Sequence, residues 1–195
     1  MYIEMANKSI KKSVKYFFVG GLLCIFFMHI LSSLKLIPSY WRIPYTNIGL
    51  SYTGFFLPLV ISISLIWYFK EEVHLPKSYV TITVIILIVI GIISYFIPQM
   101  QYQGTRGVHA NIYEFFAVWS LIFLLVIKGY SKEACILSFP LVFLTGVITD
   151  IDSITILKGF IIFGGDGILD GDILYPTISS IIWCVYYNKL KYIKK

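Results

Sequence analysis

All five aspartates of the chain, Asp150, Asp152, Asp166, Asp170 and Asp172, fall in one window near its C-terminal end, interleaved with Gly164, Gly165, Gly167 and Gly171. Five carboxylates this close repel one another, which favours a shared proton or a bound cation. The first chemistry this permits is paired-carboxylate catalysis. One Asp at the end of a helix and one at the start of the next face each other, one as acid and one as base, and activate water on a peptide carbonyl. Asp150, Asp170 and Asp172 are the candidate catalytic residues. Gly164, Gly165, Gly167 and Gly171 would let a substrate backbone approach closely and are the candidate substrate-binding positions. The second chemistry is a cation site. Asp166, Asp170 and Asp172 offer hard oxygen ligands on a glycine-rich loop, suited to Ca²⁺ or Mg²⁺, though without the full EF-hand pattern. A structural reading stands beside both: Asp and Gly are ordinary loop residues, and Asp172 can cap the positive end of the last helix.

The elements that must position these residues are apolar. The chain has 195 residues, 58% hydrophobic and 13% charged, with mean hydropathy +0.82. A soluble domain carries about a quarter charged residues. Lipid rather than water is therefore expected to solvate much of the exterior. The net charge of +6 does not point to nucleic acid, because the basic residues are scattered between apolar runs and form no patch. Cys24, Cys135 and Cys184 all lie in apolar runs without CxxC spacing, so buried inert thiols are expected, with a disulfide or metal site as the alternative.

About 20 apolar residues span a bilayer as a helix. Runs at 16–37, 47–69, 79–98, 113–130 and 134–150 approach that length, and a shorter one covers 173–188. Six spans put Lys8, Lys11, Lys12, Lys15, Lys70, Lys77, Lys128, Lys132, Lys189, Lys191, Lys194 and Lys195 on one side, and Lys35, Arg42, Arg106 and Lys158 on the other, twelve against four. A seventh crossing would leave eight against eight. The positive-inside rule thus favours six spans, both termini cytoplasmic, and a non-crossing segment at 151–172 on the outer side. The loop 99–112 carries Arg106 and His109 just before Glu114, near that same side. Arg106 is a candidate partner for an aspartate, and His109 with Glu114 a candidate extension of the acidic site. Pro140 and Pro176 flank the window and can kink their helices.

Several pieces occur in a recognisable order: Thr46-Asn47-Ile48-Gly49 with Gly54-Phe55-Phe56-Leu57-Pro58, Arg106-Gly107, Gly146-Val147-Ile148-Thr149-Asp150, and Gly164-Gly165-Asp166-Gly167-Ile168-Leu169-Asp170-Gly171. Together they resemble the archaeal and bacterial membrane family known as domain of unknown function 1614, with its N-x-GG-x-x-x-P helix, G-A-D helix end and GGAG-x-x-D-G element. The resemblance covers most of 46–180 and marks Asp150 and Asp170 as the family-type aspartates. Asp166 stands where that family has Ala, and Asp172 where it has an apolar residue. The family name implies no activity. A second resemblance is to presenilin-like and signal-peptide-peptidase-like proteases. Thr149-Asp150-Ile151-Asp152 stands for their Y-D helix and Leu169-Asp170-Gly171-Asp172 for their G-x-G-D helix, without the P-A-L motif. It implies an intramembrane aspartyl protease.

The expectation is an all-α membrane bundle of six helices, a single domain over 1–195 in the cell membrane. Its partners are the lipid bilayer and a peptide or membrane-helix substrate, not nucleic acid. An aspartyl hydrolase, a cation- or proton-coupled carrier and a non-catalytic membrane scaffold all remain open.

Overall fold

The computed structural model describes residues 19–21, 23–96, 101–103, 109–156, 160–165 and 171–193. The chain divides into two compact units, Met1–Ser39 and Tyr40–Lys195. The first contains helix α1 (Val19–Ser33). Its end is closed by two bonds, Lys35 N–H to Ser32 C=O (2.9 Å) and Leu36 N–H to Leu31 C=O (2.9 Å), with Lys35 at φ 58°. This left-handed cap satisfies carbonyls that have no partner within the helix.

The second unit opens with a hairpin of β1 (Tyr40–Arg42) and β2 (Ile48–Ser51). The Thr46 hydroxyl ties its turn, donating to Ile43 C=O (2.9 Å) and accepting from Ile48 N–H (3.2 Å). A π-helical turn (Tyr52–Phe56) runs directly into α2 (Leu57–Tyr68). Then follow α3 (Lys77–Phe96), β3 (Gln101–Gln103), β4 (His109–Asn111), α4 (Ile112–Ile127), α5 (Ser131–Ile156), β5 (Ile161–Phe163) and α6 (Gly171–Ile193). β5 joins the hairpin by pairing parallel to β2, and β3 pairs with β4.

Helix α5 is the hub, packed against α2, α3, α4 and α6. The turn from α4 to α5 is short because Gly129 adopts φ +88°, so that Gly129 N–H reaches Val126 C=O (3.0 Å) and Tyr130 N–H reaches Leu125 C=O (2.8 Å). Val118, Ile122 and Leu125 of α4 then meet Ala134 and Val142 of α5 and Trp183 of α6 in one buried cluster. The Tyr79 hydroxyl donates to Leu121 C=O (2.8 Å), joining α3 to α4, and Lys132 pairs with Glu72 across the helix ends.

Three contacts fix the register of the antiparallel α5–α6 seam. Asp172 lies against Gly146, Ser138 Oγ donates to Ser180 Oγ (3.2 Å), and Cys135 is bonded to Cys184. The eight residues from Gly146 to Ser138 on α5 match the eight from Asp172 to Ser180 on α6, and the three from Ser138 to Cys135 answer the four from Ser180 to Cys184. The contacts therefore form one continuous interface rather than a single crossing point.

Polarity is inverted relative to a water-soluble domain. Ser51, Thr53, Ser62, Ser138, Thr145, Asp172, Ser179 and Ser180 are buried. Every helix meanwhile presents large apolar side chains outward, among them Trp67 on α2 (72% exposed), Phe123 on α4 (57%) and Ile181 on α6 (52%).

The structure is mainly helical, as the sequence predicts, with four corrections. Among the described residues one stretch, Ser131–Ile151, is long and apolar enough by itself to cross a membrane, not six; Tyr52–Tyr68 and Phe116–Ile127 are apolar but shorter. The two small sheets are additions to an all-α architecture. The segment expected to be irregular from residue 151 begins later, because α5 continues to Ile156, and it contains β5. Two of the three cysteines are paired rather than free thiols, because the seam brings the Cα atoms of Cys135 and Cys184 to 4.9 Å, within disulfide range.

Candidate functional site

The site forms where three chain segments converge on the C-terminal half of α5. Ser51 ends β2 and caps the π-helical turn: its Oγ accepts from Gly54 N–H (3.1 Å) and lies 3.4 Å from Thr53 Oγ1. The cap turns the chain abruptly from strand to helix and brings Gly54 to the end of β5. There Gly54 and Gly164 touch backbone to backbone. A Cβ on either residue would overlap main-chain atoms of the other, and Gly164 holds φ +74°, which side chains rarely adopt. Phe55 closes the contact from both sides, its ring 6.2 Å from Phe143 and 6.1 Å from Phe163.

Gly164 N–H, so positioned, donates to Asp150 Oδ2 (2.9 Å). The Asp150 carboxylate is thus held from a loop fourteen residues further along the chain. The helix bearing it does not break at the polar run that follows, since Thr145 and Thr149 donate their hydroxyls back to Leu141 C=O (3.0 Å) and Thr145 C=O (3.0 Å).

Asp172 enters from α6, as the second residue of that helix and 7% exposed. Its carboxylate occupies the space over Gly146 where any side chain would stand, so that a Cβ there would overlap Oδ1. Gly146 and Asp150 are four residues apart on one helix. They lie on one face, separated by about 6 Å along the axis at 1.5 Å per residue. Two carboxylates from antiparallel neighbouring helices are therefore gathered on one face of α5, one turn apart. The α6 N-terminus adds a favourable field at Asp172.

No protein-family model, curated protein or solved structure matches this chain.

Of the residues singled out by sequence, the structure brings together Asp150, Asp172 and Gly164. Gly165 follows in the same turn, its N–H donating to Ile162 C=O (3.2 Å), and Gly171 is the first residue of α6. Asp166, Gly167 and Asp170 lie outside the described residues, as does Arg106. Only Asp172 of the expected cation ligands can be located, and among the described residues no three His, Cys, Asp or Glu side chains are grouped to hold a metal ion. Sequence reasoning did not select Ser51, Thr53 or Gly146 as part of the site. Gly146 carried a signal, its i, i+4 relation to Asp150, and Ser51 carried another, a hydroxyl three residues before a glycine at a strand-to-helix junction.

Chemically, the arrangement supplies two carboxylates on one face of α5, a backbone N–H already oriented at one of them, and buried hydroxyls of Ser51 and Thr53 on the Gly54 side.

Proposed function

We propose that this chain is a multi-pass membrane protein related to the domain of unknown function 1614 family. We propose further that Asp150 and Asp172 are the acid–base pair of an intramembrane aspartyl hydrolase acting on a peptide or membrane-helix substrate. The observation that carries the reading is the shared seam: an aspartate from each of two antiparallel neighbours meets one face of α5, one turn apart. Two carboxylates that share a proton titrate as a pair, and in this reading one member activates water while the other protonates the leaving group. The motif pieces that resemble the family, around Gly54, Gly146, Asp150 and Gly164, converge at this point.

The membrane reading is supported by the outward apolar faces and the buried hydroxyls. It is also supported by aromatic and basic residues at both ends. Arg42 stacks 5.3 Å from the Phe160 ring beside Tyr40, and Lys70 lies 4.7 Å from Trp67 at the opposite end of α2. Such belts suit headgroup level. Helices α3 and α6, with 20 and 23 residues, reach about 30 Å or more at 1.5 Å per residue. The shorter α2 is extended by the π-helical turn and β2, whose polar backbone is covered by β1 and β5. Lys70, Lys128, Lys132 and Lys189 gather at the end of the bundle remote from the aspartates, the cytoplasmic end on the charge rule.

In the test, purified full-length protein in detergent or liposomes is given a reporter membrane helix. Asp150→Asn and Asp172→Asn each abolish cleavage while the thermal unfolding profile persists. A preparation that cleaves nothing, with both variants behaving as wild type, overturns the hydrolase. A second reading, a proton- or cation-coupled carrier, is favoured by the interrupted backbone beside the carboxylates, where strand, π-helical turn and positive-φ glycine meet. It expects pH-driven flux into liposomes that either Asn variant removes.

A further inference from the structure

Cys135 and Cys184 close the α5–α6 seam at the end opposite the aspartates, at a sequence separation of 49. Eleven residues of α5 separate Cys135 from Gly146, about 16 Å of helix at 1.5 Å per residue. Both cysteines are half-buried, so a small thiol or dithiol can reach them. The next contact along the seam is the hydrogen bond from Ser138 Oγ to Ser180 Oγ (3.2 Å). Lys128 lies in the turn before α5, Lys132 in its first turn and Lys189 near the end of α6. Under the orientation proposed above, this end faces the cytoplasm, where thiols are kept reduced. A constitutive bond there would be out of place.

We propose that Cys135 and Cys184 are a reversible redox lock on the α5–α6 hairpin, dithiol in the resting cell and disulfide under oxidation. With a low-molecular-weight disulfide as oxidant, one cysteine thiolate attacks a sulfur of that disulfide and expels one thiolate. The second cysteine thiolate then attacks the resulting mixed disulfide and expels the other. The protein loses two electrons and two protons, the small disulfide becomes two thiols, and a dithiol reductant reverses both steps. Closing the lock pins the register that seats Asp172 on Gly146. The proposal rests on the orientation given above, not on the hydrolase chemistry.

The test uses the full chain with Cys24→Ser in cell membranes. Thiols are trapped with acid and N-ethylmaleimide, disulfides are then reduced, and the newly freed thiols are tagged with polyethylene-glycol maleimide. Resting cells give no tagged species. Cells exposed to diamide give a species with two tags, and dithiothreitol applied to the intact membranes removes it within minutes. Two tags in resting cells that resist dithiothreitol until denaturant is added overturn the lock, and so does the absence of tags after diamide. A parallel arm carries Lys128→Cys in a chain lacking the three native cysteines. Protection of that thiol from an impermeant maleimide in intact cells upholds the orientation, so a permanent bond then sinks the lock alone. Labelling of it sinks the orientation and the lock together.

Discussion

At the scale of single residues, the proposed chemistry depends on where Asp172 sits, and Gly146 decides that. The carboxylate fills the volume a side chain at 146 would take. Gly146→Ala must displace either Asp172 or the helix that bears it, and overpacking a tight contact costs about 1–3 kcal/mol. Replacing Asp172 by Ala in the same chain vacates the volume. The double variant is therefore expected to recover most of the loss, a coupling of about 1–2 kcal/mol in a double-mutant cycle measured by unfolding in detergent. Simple additivity of the two substitutions would mean that the carboxylate does not rest on Gly146. Part of this was legible in the sequence. Asp150 and Gly146 share a helical face by spacing alone, and clustering of all the aspartates flagged the window. That Asp172 falls opposite Gly146 was not legible, because the register of two helices is set by packing along their whole length and by no local pattern.

At the scale of elements, hydropathy located the helices but misjudged their ends. The run Thr149-Asp150-Ile151-Asp152-Ser153 suggested a break, yet no Gly or Pro stands between Gly146 and Gly159, and the threonine hydroxyls bond back along the helix instead of competing with it. The strands went unread for the opposite reason. Runs of three or four residues are too short for alternation to register, and β5 is held by its partner β2, distant in sequence. The cysteine pair was equally invisible, since its 49-residue separation becomes a contact only through the antiparallel seam. It makes an energetic prediction distinct from any switching role. Closing a loop of that length removes chain entropy worth about 2–4 kcal/mol. Cys135→Ser with Cys184→Ser should lower the unfolding midpoint relative to the oxidised chain, and reduction of the wild type should bring it to the same value. A midpoint that differs between reduced wild type and the double variant would trace the effect to packing rather than to the bond.

At the scale of the whole molecule, composition announced an exterior solvated by lipid, and the structure supplies the faces that reading needs: apolar outward, hydroxyl and carboxylate inward. Helix length alone pulls the other way, since among the described residues one stretch is long and apolar enough to cross a bilayer unaided. The two views make opposite predictions for one substitution. Phe123 lies on the outward face of α4, 57% exposed, within a helix of 16 residues from Ile112 to Ile127. In water, exchanging an exposed Phe for Arg is neutral or improves solubility. In a bilayer, an Arg near the middle of a helix is disfavoured by about 2.5–3.5 kcal/mol, and the Phe lost contributed a few tenths more. A helix this short has little apolar surplus to absorb that change, so the inserted fraction should fall by a factor of about one hundred. Phe123→Arg is therefore expected to remove most folded protein from carbonate-washed membranes. Phe123→Leu, which keeps the apolar face, should leave the amount unchanged. Recovery of the Arg variant as folded protein in the aqueous fraction would turn the molecule outside in, with the apolar belt covered by something other than lipid. Loss of the Arg variant alone leaves the bilayer as the solvent around which the carboxylate seam is built.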